Sequence, residues 1–324
     1  MAHSLHSRSA LYAIAMTTVF TGILLTTLGR STSLVTYAPN PRPLSAVGSV
    51  VPSISPPRAP SLTRRPQPFL IYYGWFSQNS PVLAQQARAM GHYSVVVIGS
   101  GLEHSVNPDF NAARTVINED STTAFYGYLS IGKASGLPNY SRAAIAQRAK
   151  EWAALGVKGI LLDDAGPDFG VSQGRLQSVI SMVHALHLHV IVNSWDPAAV
   201  IAVGLAPGDG YLAENWAVAA GKVSTPPAQA AALAEIRRRH IAVYMTATNA
   251  QAPTTPQAVI HDARATLSLV EGNYMAVAGP NYSSTSNRIV PASWVAAGLA
   301  VAPLPCRTAK VIERPSPYTP PACS

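Results

Sequence analysis

Between residues 69 and 278 the chain alternates, eight times, a short β-type run with a following stretch of different character. The runs are 69–76, 93–99, 125–132, 159–164, 190–195, 210–216, 241–246 and 274–278. Helical spacing of apolar residues marks 81–90, 142–155, 176–186, 227–240 and 256–270, and 291–299 can supply a last helix. Runs such as VVVIG and GILLDD are apolar on both faces, which suits parallel strands covered on each side. Eight such units predict a single (β/α)8, or TIM, barrel in the α/β class, over residues 69–303. A doubly wound open sheet is the alternative, but no Gly-rich phosphate loop follows an early strand. The second unit is the weakest, because 107–120 is only loosely amphipathic.

Local signals agree with the units. Ser80-Pro81, Thr225-Pro226 and Thr255-Pro256 each place a small polar residue before a first-turn proline. Gly91 and Gly156 suit helix C-termini.

The segments outside the barrel differ in composition. Residues 10–28 are an apolar run behind Arg8, long enough to span a bilayer and equally readable as a cleaved signal. Residues 1–30 are therefore read as a signal peptide or membrane anchor, which makes the protein extracytoplasmic, secreted or anchored. Residues 31–68 are rich in Pro and Ser and read as a flexible stem. Residues 304–324 form a Pro-rich tail in which Cys306 and Cys323 are expected to pair in an oxidising compartment.

The net charge of +8 raises the question of nucleic acid. Its distribution answers it. Of 23 basic and 15 acidic residues, six arginines and no acid precede Phe69. Three cations and one acid follow Pro303, which leaves 14 of each sign in the barrel. A basic nucleic-acid groove on that domain is not expected. The membrane is a partner only through residues 10–28, if they are retained.

In such a barrel, chemistry sits at the C-terminal ends of the strands. Those ends carry Tyr73 and Trp75, Tyr128, Asp163 and Asp164, Asn193, Trp195 and Asp196, Glu214 and Trp216, Tyr244, and Tyr274. Flat rings stack on the apolar faces of sugars, and amides and acids bond their hydroxyls. Two carboxylates can supply acid and base, or acid and nucleophile, for glycosidic cleavage. Asp163, Asp164 and Glu214 are the candidate catalytic residues, and the others are candidate substrate contacts.

Side chains alternate along a strand, so only one of Asp163 and Asp164 is expected to face the mouth. Glu214, between apolar residues and beside a tryptophan, suits a general acid. Asp168 reads as a turn residue, and Asp196 before Pro197 also suits a helix N-cap. Asp209 falls at the opposite rim. His184, His187 and His189 form no metal pattern, and no metal or cofactor is expected. Lys133 is a weak Schiff-base candidate.

The segments YGYLSIG, GVKGILLDDAGPDFG, VIVNSWDP and GYLAENW resemble glycoside hydrolase families 114 and 135. These are the endo-α-1,4-polygalactosaminidase-like and spherulation-specific family 4 barrels. The likeness runs in order through most of residues 69–280. It implies that Asp163 and Asp164 correspond to the strand-four acidic pair and Glu214 to the strand-six acid. Asn193 falls in the matching strand-five segment. The second strand-four acid is Asp where those families also use Glu, which shortens its reach. The resemblance implies cleavage of an amino-sugar exopolysaccharide, a carbohydrate polymer. A surface carbohydrate-binding protein without catalysis would use the same aromatics, and a barrel enzyme of another class is a third reading.

Overall fold

The structure is a computed structural model. It describes residues 66–99, 101–119, 122–133, 139–214, 218–219, 222–223, 227–248, 255–267, 272–278 and 289–300. The N-terminal segment, nearly all of the stem, the tail with its two cysteines, and Trp216 lie outside the described residues.

Eight parallel strands close into a barrel. They are β1 Gln67–Tyr72, β2 Val95–Ile98, β3 Ala124–Ser130 and β4 Gly159–Asp163. β5 His189–Asn193, β6 Gly210–Ala213, β7 Ala242–Thr248 and β8 Tyr274–Ala278 complete it. The order around the barrel is β1-β8-β7-β6-β5-β4-β3-β2. Closure excludes the doubly wound sheet and leaves no free edge.

Helices alternate with the strands: α1 Ser80–Met90, α2 Phe110–Glu119, α3 Arg142–Leu155, α4 Gln173–His184, α5 Ala198–Ile201, α6 Pro227–Arg238, α7 Pro256–Leu267 and α8 Ala292–Leu299. α2 is better formed than its sequence suggests, because Ala112, Ala113, Val116 and Ile117 share one buried face. α5 is a single turn. A two-stranded antiparallel ribbon, Val218–Ala219 against Lys222–Val223, follows β6 and has no signal in the sequence.

Of the three expected N-terminal caps, Thr225-Pro226 lies outside the described residues, one is formed as expected and one is shifted. Thr255 Oγ1 accepts from the Ala258 N–H of α7. In α1, however, Asn79 is the N-cap, and Ser80 already lies in the helix. Gly156 closes α3 in the left-handed region at φ 91°, where a side chain would be strained.

Two apolar layers hold the fold. Outward strand residues such as Val96, Ile98, Leu129, Ile160 and Val192 pack under the helices. Inward residues Phe69, Ile71, Val95, Val97, Tyr126, Tyr128, Leu161, Ile191, Leu212 and Tyr244 fill the barrel. The contact of α3 with β3 is made by the fully buried Trp152, whose indole N–H donates to the Tyr128 carbonyl at 3.2 Å. Gly127 makes room for that ring, since a Cβ there would lie 2.2 Å from it. Among the described residues, no helix is long and apolar enough to cross a membrane.

Candidate active site

Strand alternation decides what reaches the mouth. Leu161 faces inward, so Asp163, two residues on, does too. The same spacing carries Asn193 from Ile191, Glu214 from Leu212, Tyr128 from Tyr126, and Tyr73 from Ile71.

These side chains meet. Tyr128 donates its hydroxyl to Asp163 Oδ2 at 2.5 Å. Asn193 Nδ2 donates to Asp163 Oδ1 at 2.8 Å and to Glu214 Oε2 at 2.5 Å. One amide nitrogen thus bridges two carboxylates. Their bridged oxygens cannot be further apart than the two bonds laid end to end, about 5.3 Å.

Asp164 departs from the alternation rule. Its φ of 51° ends the strand in the left-handed region. Its carboxylate accepts from Ser130 Oγ at 2.8 Å, and Ser130 is the last residue of β3. Both strand-four acids therefore stand at the mouth, not one. The sequence places Ser130 at a strand end without giving it a role.

The electrostatics follow from crowding. Burial, with the Glu214 charge adding to it, raises the Asp163 carboxyl to about 6, against the bonds from Tyr128 and Asn193. Burial and the Asp163 charge raise Asp164 to about 6. Burial, then the charges of Asp163, Glu214 and Asp164, holds the Tyr73 phenol well above its usual range. Tyr73 is therefore a neutral donor at the centre of an acidic cluster, with its ring edge-on to Tyr128 at 5.4 Å.

A carboxyl raised on folding binds more protons folded than unfolded. Its contribution to stability is present below the unfolded value and lost as pH rises through the folded one. For Asp164 that window runs from 3.8 to about 6. Asp164→Asn should therefore stabilise the protein at pH 7 by about 1–2 kcal/mol, and the gain should vanish at pH 4. Asn tolerates the positive φ and can still accept from Ser130. Melting curves at the two pH values check this, and an equal change at both would contradict it.

The remaining candidates divide by position. Trp75 follows β1 and Trp195 follows β5, and the two residues are 52% and 59% exposed. β1 and β5 are four strands apart either way round, so the segments that carry the two tryptophans leave opposite sides of the barrel. Asp196 is exposed, and its carboxylate accepts from the Ala198 N–H two residues on at 2.9 Å, while α5 starts from Pro197 without a side-chain cap. Asp168 lies in the short 3-10 turn Pro167–Phe169, where burial and the Asp196 charge raise its carboxyl.

Tyr244 and Tyr274 do not reach the mouth. Tyr274 is the first residue of β8 and pairs in register with Gln67, the first residue of β1. Tyr244 pairs with Tyr274 and stacks on it at 4.4 Å. Both belong to the N-terminal end of the barrel. Asp209 is fully buried at that same rim, accepting from the Val190 and Ala206 N–H groups and facing His184 at 2.9 Å. Among the described residues, no group of three or more His, Cys, Asp or Glu is arranged to hold a metal ion.

The sequence matches no family model, and comparison with curated proteins finds no match. Solved structures share the fold at a distance. The glycoside hydrolase domain of PelA from Pseudomonas aeruginosa is 15% identical at a TM-score of 0.46, over 67% of this chain and 96% of that one. Tryptophan synthase from M. tuberculosis is 13% identical at 0.45, over 74% and 94%. Muconate lactonizing enzyme is 12% identical at 0.40, over 65% and 54%. Likenesses this distant carry no information about chemistry, and the barrel rests on its own closed sheet.

Proposed function

We propose that this barrel is an extracytoplasmic glycoside hydrolase acting on an amino-sugar polysaccharide. The observation that carries the reading is the Asn193 bridge, which holds Asp163 and Glu214 together in an acidic mouth. Retaining glycosidases place their two carboxyl groups about 5–5.5 Å apart, and inverting ones about 6.5–9.5 Å apart. The short bridge favours the retaining arrangement. Asp163, fixed by two donors, attacks the anomeric carbon. Glu214 gives its proton to the departing glycosidic oxygen, then takes one from the water that releases the sugar. Trp75 and Trp195 offer stacking faces on either side of the bond.

Charge points to the substrate class. Asp163 and Asp164 are bonded by a phenol, an amide and a hydroxyl, not by a cation. A protonated amino sugar would relieve the repulsion among these acids, whereas a polyanion would add to it. The extracytoplasmic setting rests on residues 10–28 alone.

The test is the release of new reducing ends from amino-sugar polymers with free amines, from their N-acetylated forms and from neutral glucans. Free-amine polymers should be cleaved fastest. Tight binding of those polymers with no reducing ends from any would overturn the enzyme in favour of a binding protein.

A further inference from the structure

Asp163, the proposed nucleophile, stands where most of its surroundings work against its charge. Burial acts first, and the Glu214 charge at the end of β6 adds to it. Asp164 follows it in the chain, and the Tyr73 phenol reaches the same cluster from β1. Three hydrogen-bond donors act the other way: the Tyr128 hydroxyl, the Asp164 backbone N–H and the Asn193 amide. An ionised carboxylate accepts from all of them, whereas a protonated one gives up part of that capacity.

The two side-chain donors are not equivalent. Asn193 gives its amide nitrogen to Asp163 Oδ1 and to Glu214 Oε2, so it serves both acids. A hydroxyl carries one proton, and Tyr128 gives it to Asp163 Oδ2 at 2.5 Å. Its direct effect falls on the nucleophile. The register explains the reach. Tyr128 pairs with Leu161 across β3 and β4, and Ser130 pairs with Asp163. Tyr128 therefore starts two residues below the carboxylate, a gap that a phenol spans and a serine or threonine hydroxyl does not. Burial, with the Asp163 charge adding to it, holds that phenol well above its usual range. It keeps its proton throughout the range in which Asp163 titrates.

The phenol is also held in place by contacts that do not involve its hydroxyl. Its backbone carbonyl accepts from the buried Trp152 indole N–H at 3.2 Å. Its ring lies edge-on to Tyr73 at 5.4 Å. A phenylalanine would keep both contacts and lose only the O–H.

We propose that Tyr128 is a positioning residue that keeps Asp163 ionised and aimed, acting through its O–H and not through the packing of its ring. The consequence for rate rests on Asp163 being the nucleophile, whereas the hold on the carboxyl itself does not.

The test is Tyr128→Phe in the full-length chain, with the melting temperature showing that the variant folds. Aspartate carboxyls, isotope-labelled and followed by NMR, are titrated in parent and variant, and Asp163 is the signal that Asp163→Asn lacks. Losing one hydrogen bond to a charged group should move the Asp163 midpoint up by about one pH unit. The release of reducing ends should follow. The variant should lose about tenfold in kcat at pH 5, and the loss should shrink as pH rises past about 7. A midpoint that moves in a chain that cleaves no polymer would support the hold on Asp163 and overturn the hydrolase reading. An unmoved midpoint, or a rate lowered equally at every pH, would overturn the proposal and leave Tyr128 a packing residue.

Discussion

Asp163→Asn is expected to lower the release of reducing ends by at least about 10³-fold, and Glu214→Gln by about the same. Asp163 takes two donors on two different oxygens, Tyr128 on Oδ2 and Asn193 on Oδ1. An amide has one oxygen, so Asn at this position must turn an NH2 towards one of those donors. The nucleophile is lost and its cradle is broken together. Glu214→Gln likewise removes the proton that the leaving oxygen needs. Because the two acids act as one unit through Asn193, the double variant should cost little more than either single. The same change should register on Asp164. The Asp163 charge is one cause of its rise to about 6, so that value should fall in Asp163→Asn. In the parent, activity should drop on the acid side near pH 6, as the strand-four carboxyls gain protons. An Asp163→Asn protein retaining a tenth of the parent rate would remove Asp163 from the chemistry.

How far the site was legible depended on depth along the barrel. Asp163, Asn193, Glu214, Tyr73 and Tyr128 were recoverable because period-two alternation and the strand-end rule together say which side chains converge. Tyr244 and Tyr274 failed the same rule. A β-type run shows that a strand exists, but not where on the strand a residue lies. β7 continues to Thr248, two residues past the run 241–246, which leaves Tyr244 low in the barrel. Tyr274 opens its strand instead of closing it. Asp164 was misjudged for another reason. Alternation holds only while the backbone is extended, and nothing in LLDDAG announces that φ turns positive at its second acid. The tight packing at the low end of the barrel is not legible either. Gly159 and Gly210 read as ordinary strand starts, and only the packed structure puts them against tyrosine rings.

A second large effect is expected far from the chemistry, at a pair no sequence pattern announces. Glu103, in the loop after β2, is 1% exposed, and Arg148, on α3, is 5% exposed. Glu103 Oε1 accepts from both Nε and a terminal nitrogen of Arg148, each at 2.5 Å. Its other oxygen accepts from the Gly101 N–H at 2.8 Å, where φ is 92°. The guanidinium lies over the Tyr140 ring at 5.0 Å. This pair fastens the loop after β2 to α3, joining elements 45 residues apart. Removing Glu103 takes from the buried guanidinium the carboxylate oxygen that accepts two of its N–H groups, and breaking a buried pair in this way costs about 3–5 kcal/mol. Glu103→Leu should therefore lower the melting temperature by roughly 10 °C. Replacing both, as Glu103→Leu with Arg148→Met, removes the charge as well as its partner, and should recover most of the loss. The comparison separates two origins of the cost. Recovery in the double variant would assign it to the guanidinium deprived of this carboxylate. A double variant as unstable as the single would assign it to the loop anchor, through the Gly101 bond that leucine cannot make. A loss under about 1 kcal/mol in the single variant would contradict both, because that is the range of a solvated surface pair.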